Sequence, residues 1–165
     1  MDKETDKMKK ILIALDYDPT AQKVAEAGFA LARSMGAEVI LLHVMSAPEY
    51  YYSTGYDHDT MMGFTGITDR GPLQTNTVDT IKKAAMDFLN KTKDHLGDKT
   101  IQAVVGEGDN ADSILKTAKD LKADVIVIGS HSRRWLDDIL MGSVTEKVLH
   151  HSTIPLFIVP TKKGK

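Results

Sequence analysis

The chain has 165 residues, of which 42% are apolar and 27% charged, with a formal net charge of -2 and no cysteine. This length fits one domain able to bury a core. The missing cysteines exclude a disulfide framework, a thiolate metal site and a cysteine nucleophile, and the charge gives no overall pull toward nucleic acid or anionic lipid.

In chain order, residues 1 to 8 are polar and charged, which does not match a secretory leader and reads as a frayed end. Lys10 to Asp16 is the first predicted strand. Beyond the turn residues Asp18-Pro19-Thr20, a helix carries Ala21, Val24, Ala25, Gly28, Phe29, Ala32 and Met35 on one face. Glu38 to Val44 is the second strand, with His43 expected as a hydrogen-bonded core residue. Residues 45–76 form an irregular insert far longer than an ordinary loop. It holds Tyr50-Tyr51-Tyr52, Tyr56, Asp57-His58-Asp59 and Met61-Met62, and is expected to be a flap or a partner surface. Adjacent residues seldom all face one ion, so Asp57 to Asp59 argue little for a metal.

Val78, Ile81, Ala85, Phe88 and Leu89 mark a second helix, and Ile101 to Val105 a third strand. Gly106-Glu107-Gly108-Asp109-Asn110-Ala111 has the form of a dinucleotide fingerprint, but it follows the third strand and lacks the later acidic residue. It reads better as a tight turn. Ala111, Ile114, Leu115, Ala118 and Leu121 mark a third helix, Asp124 to Gly129 a fourth strand, Val144, Val148 and His151 a fourth helix, and Pro155 to Pro160 a fifth strand. Residues 161–165 form a tail. Alternating strands and helices imply one doubly wound α/β domain over residues 9–160, with a parallel sheet and helices on both faces. Ligands of such sheets sit beyond the C-terminal strand ends where the winding reverses.

The most informative stretch is Gly129-Ser130-His131-Ser132, followed after nine residues (Arg133 to Met141) by Gly142-Ser143 at the mouth of a helix. Glycine lets backbone N–H groups approach an anion, and a helix N-terminus adds unpaired donors and partial positive charge. A nucleotide phosphate is one reading. A capping box of Ser143 and Glu146 is the other, and both can hold. A helix end contributes about 0.3 to 1 kcal/mol per charge, whereas micromolar affinity needs about 8 kcal/mol. Base and ribose contacts must supply the rest. Asp16 is either the ribose partner or the acceptor of an Asx-type turn. Val44 either meets a base edge through its backbone or is simply core.

These residues resemble the nucleotide-binding branch of the universal stress protein family. Its G-2x-G-9x-G-(S/T) motif is matched in spacing by Gly129, Ser132, Gly142 and Ser143. The strand ending in Asp16, the run Val39-Ile40-Leu41-Leu42-His43-Val44, Gly106 and Pro155-Leu156-Phe157-Ile158-Val159 also fit. The resemblance implies a five-stranded sheet of order 3-2-1-4-5 flanked by four helices, the adenine nucleotide alpha hydrolase-like fold. It also implies a homodimer through the last strand, Pro155 to Pro160. Adenine and ribose contacts would fall on Ala14, Leu15, Asp16 and Val44, with Ile128 beside the sugar. Phosphate contacts would fall on Gly129, His131, Ser132, Gly142, Ser143, Val144 and Thr145. The implied ligand is ATP, accompanied by Mg²⁺, with AMP or a cyclic nucleotide as alternatives. Ser132 departs from the motif's second glycine. A left-handed backbone there would cost roughly 1 to 2 kcal/mol, and an ordinary one nothing.

Catalytic signatures are thin. Neither a P-loop nor a nucleophile elbow is present. His131 could donate to phosphate or lie on the surface, and Arg133 and Arg134 could clamp a phosphate tail or be solvated. Trp135 could pack on the insert or on a dimer mate. The expected function is a small cytoplasmic ATP-binding regulator or chaperone-like module of the stress response, with no catalytic residues, no nucleic-acid surface and no membrane span. The alternatives are a dimeric interaction protein with a vestigial site and a slow ATP- or AMP-processing enzyme.

Overall fold

A computed structural model describes residues 9–45, 77–130 and 141–161. The strands are β1 (Lys10–Ala14), β2 (Glu38–Met45), β3 (Gln102–Glu107), β4 (Val125–Gly129) and β5 (Leu156–Val159). The helices are α1 (Ala21–Met35), α2 (Thr77–Leu96), α3 (Asn110–Asp120) and α4 (Ser143–His151). All strand pairings are parallel, in the order β3-β2-β1-β4-β5, as the resemblance implied. The winding reverses between β1 and β4, because the chain first runs outward to β3 and then returns to the other side of β1.

Both faces of the sheet are covered, which is why the strands are apolar almost throughout. Ile11, Ile13, Val39, Leu41 and Val127 point into one core with Val24, Ala25 and Ala32 of α1 and Leu89 of α2. Leu12, Ile40, Leu42, Ile126 and Ile128 point into the other, with Ala111, Ile114 and Ala118 of α3 and Val148 of α4. Gly28 sets how closely α1 approaches: a Cβ there would lie 2.6 Å from Ile13 Cδ1 and 2.9 Å from Ile13 Cγ1. No buried side-chain nitrogen or oxygen lacks a hydrogen bond among the described residues. No described helix is long and apolar enough to cross a membrane.

Three expectations need correction. Val78 is 40% exposed rather than part of the buried face of α2. On α4 the buried positions are Thr145 and Val148, whereas His151 faces solvent. The strict apolar count missed Thr145 because its hydroxyl is satisfied inside. Finally, the Ser143–Glu146 capping box, one of the two readings of this stretch, is not formed: the N-cap is Gly142, one residue earlier, and no side chain caps this helix.

Candidate functional site

The C-terminal ends of β1, β2 and β4 meet at the reversal point. β1 pairs Ala14 with Leu42 and Ile13 with Val127, and the pairing to β2 continues one residue further, where the Leu15 N–H donates to Leu42 O at 2.8 Å. Carried past the paired residues, these registers bring Asp16 level with Val44 on one side and Ser130 on the other. Ala14, Val44 and Val144 are partly buried against the core that also contains Ile128. Three positions implied for the base and sugar (Ala14, Val44 and Ile128) and one implied for phosphate (Val144) therefore share one face. Asp16 is exposed, and its Oδ1 accepts the Asp18 N–H at 3.0 Å. The Asx-type turn thus exists, and the second carboxylate oxygen has no partner among the described residues.

The anion end is built around α4. The Gly142 N–H donates to Ser130 O at 2.9 Å, and the first helical bond runs from the Glu146 N–H to Gly142 O. Between them, the N–H groups of Ser143, Val144 and Thr145 have no acceptor among the described residues, as expected at an uncapped helix start. Thr145, 2% exposed, donates its hydroxyl to Gly129 O at 2.8 Å and so pins the first turn of α4 to the end of β4. Two of the motif glycines have work within the protein itself. The Gly142 amide is used within the protein rather than left for a ligand. Gly129 has an ordinary backbone, and its missing Cβ makes room for Val24 Cγ2 at 3.0 Å and Thr161 Cγ2 at 3.1 Å.

Ser130 organises this junction, a role that its place inside a glycine motif concealed. Its N–H donates to Val159 O, its carbonyl accepts from Gly142, and its Oγ accepts the Thr161 N–H at 3.1 Å. All three of its polar groups are thus used to join β4, the end of β5 and the start of α4. The nearest sequence signal was the small polar residue directly after a buried strand.

At the neighbouring β3–α3 connection, the G-x-G-x-x-A stretch is a tight turn, with Gly108 at φ +105°. Gly106 allows α3 to approach so closely that an added Cβ would sit 2.5 Å from Ser113 Oγ. Asp109 caps α3 by accepting the Asp112 N–H at 3.0 Å. That bond first, and the Lys147 ammonium second, hold the Asp109 carboxyl below the ordinary carboxylate range. Lys147 reaches Asp109 at 3.1 Å and Asp112 at 3.2 Å, tying α4 to α3, and these partners raise its pKa. On the other face His43, 5% exposed, donates from Nδ1 to Leu15 O at 2.8 Å, so it is a hydrogen-bonded core residue as expected. His131, Ser132, Arg133, Arg134, Trp135 and the insert with Asp57, His58 and Asp59 lie outside the described residues. Among the described ones, no group of three or more metal-binding side chains comes together.

Known proteins of the same build extend this picture. The chain is 30% identical over 161 residues to the universal stress protein MJ0577 of Methanocaldococcus jannaschii, covering 94% of this chain and 97% of that one. The solved structure of MJ0577 superposes with a TM-score of 0.70 at 28% identity, covering 94% of this chain and 98% of that one. Two more distant structures share the fold. One is a universal stress protein in complex with cAMP, with a TM-score of 0.59 at 17% identity, covering 94% and 98% of the two chains. The other is from Archaeoglobus fulgidus in complex with dAMP, with a TM-score of 0.54 at 19% identity, covering 91% and 96%. A family model for universal stress proteins matches residues 7–160, and with that match and the relatives above, the chain belongs to the universal stress protein family.

Proposed function

We propose that the chain binds an adenine nucleotide, ATP foremost, and that occupancy tunes its conformation or its partners as a regulatory module of the stress response. The observation that carries this reading is the open start of α4. Three neighbouring N–H groups, on Ser143, Val144 and Thr145, are uncapped and stand beside the strand ends at the reversal point. Phosphate oxygens match such donors in charge and geometry. The apolar wall of Ala14, Val44 and Ile128 suits a base and sugar, and Asp16 offers an acceptor for ribose hydroxyls. Among relatives of the same fold, one structure holds cAMP and another dAMP, which supports an adenine nucleotide as the ligand class. Mg²⁺ would arrive with the phosphates of ATP.

A homodimer through Pro155 to Pro160 belongs to the same reading. β5 is an edge strand, and Phe157 on it is 40% exposed. An apolar side chain on an unpaired edge favours strand or face pairing with a second copy.

Ser143→Glu tests the pocket with two effects of opposite sign. A carboxylate at the first position of α4 favours the helix by about 0.3 to 1 kcal/mol but repels phosphate. Calorimetry should show ATP binding by the natural chain and its loss in the variant, with thermal stability held or raised. Undiminished ATP binding by Ser143→Glu would refute the assigned phosphate position. An absence of heat from ATP, AMP and cyclic AMP with the natural chain would remove the nucleotide reading itself.

A further inference from the structure

We propose that His43 is a positioning residue for the nucleotide ribose, acting on Asp16 from the opposite face of the sheet. The inference rests on the nucleotide reading above and deepens it. The carbonyl that accepts from His43 Nδ1, Leu15 O at 2.8 Å, belongs to the peptide bond joining Leu15 to Asp16. Fixing that peptide plane fixes the direction in which Asp16 leaves β1. On the other side of Asp16, the Tyr17 ring lies against the His43 ring, with centroids 4.2 Å apart and planes tilted by 34°. Phe88 of α2 backs both rings, at 5.0 Å from Tyr17 and 5.8 Å from His43. A single buried side chain thus holds both chain neighbours of Asp16, and it is itself the chain neighbour of Val44.

The placement of a polar ring here supports the same conclusion. β2 is otherwise apolar from Val39 to Met45, and His43 is 5% exposed. A buried imidazole must be hydrogen-bonded or it destabilises the fold, so an apolar residue would fill the core with less demand. What histidine adds at this position is a donor aimed at the strand end, where regular β1–β4 pairing has finished and Asp16 must be held by other means.

The experiment compares ATP with 2′,3′-dideoxy-ATP by calorimetry, using the full chain and its His43→Phe, His43→Asn and Asp16→Ala variants. The natural chain should favour ATP. His43→Phe, which keeps a ring but removes the donor, should weaken ATP about two- to tenfold, the range expected for one buried hydrogen bond, and leave dideoxy-ATP unchanged. His43→Asn, which retains an N–H at the same branch of the side chain, should recover most of the loss. In the Asp16→Ala background His43→Phe should have no further effect on ATP, because the two act as one unit.

Equal weakening of both nucleotides by His43→Phe, or of neither, overturns the proposal and leaves nucleotide binding standing. No binding of either nucleotide by the natural chain overturns the underlying reading instead. Should His43→Phe not fold, Tyr17→Leu at a half-buried position carries the same two-ligand comparison, and an equal loss on both ligands again overturns it.

Discussion

Thr145→Val tests the bond that pins α4 to β4. Valine matches threonine in shape, so the substitution opens no cavity and isolates the hydroxyl. Thr145 is 2% exposed and donates to Gly129 O at 2.8 Å. Losing that donor leaves a carbonyl unsatisfied next to the new methyl, which costs about 1 to 3 kcal/mol. Taking about 2 kcal/mol, a chain of this size should lose roughly 4 to 8 °C in melting temperature. Thr145→Ser keeps the oxygen and gives up a methyl, so it should retain the bond and lose about 1 kcal/mol through packing alone. Urea unfolding of the three proteins, with matched slopes, measures both values. The ordering natural chain, then serine, then valine is the expected result. A valine variant as stable as the natural chain would refute the claim that this hydroxyl anchors the helix start. An anchored start also predicts weaker ATP binding by the valine variant than by the serine variant, since the three open N–H groups lie in the turn being held.

Three further predictions concern packing and charge. Gly28→Ala should destabilise by about 1 to 2 kcal/mol although alanine favours an isolated helix by about 1 kcal/mol, because its Cβ meets Ile13 at 2.6 and 2.9 Å and Val127 at 3.1 Å; stabilisation in urea would contradict the close approach of α1. Gly106→Ala should cost about 1 kcal/mol, moderated by rotation of Ser113, and adding Ser113→Ala should recover most of it, since the next nearest atoms lie at 3.5 Å; additive losses in the double variant would contradict the contact. The Asp109 carboxyl is held below its ordinary value in the folded state, so its contribution is present above the unfolded value of about 4 and is lost as the pH falls through the folded one. The stability difference between the natural chain and Asp109→Asn should accordingly be under about 1 kcal/mol at neutral pH, because the carboxylate is 54% exposed and screened. It should vanish in acid, and a gap that widened there would reverse the sign of the argument. The Lys147 shift is upward, so its side of the pair persists through neutrality and is lost only in strong alkali.

Hydrophobic period carried most of the architecture. Apolar runs of strand length alternate with helical faces such as Ala21, Val24, Ala25, Gly28 and Ala32, and these are buried as read. A period reports which residues must leave water, so it locates elements and their inner faces. It failed where burial rests on something other than an apolar surface: Thr145 is inside because its hydroxyl is satisfied, and Val78 is outside despite its chemistry. Glycine spacing marked the junction of β4 and α4, where two of the glycines have structural work of their own. Gly129 makes room for Val24 and Thr161, and the Gly142 amide already bonds Ser130, so the open donors begin one residue later.

What the sequence by itself determined is the set of elements, the α/β class and, through motif resemblance, the family. The periodic pattern alone was silent on strand order, on the junction at Ser130 and on the bond from His43 to the carbonyl of Leu15 that precedes Asp16. Those depend on residues far apart in the chain, such as Leu15 with His43 and Ser130 with Thr161. Hydrogen bonds between such pairs have no local signature, because the partner's position exists only after the two cores have packed.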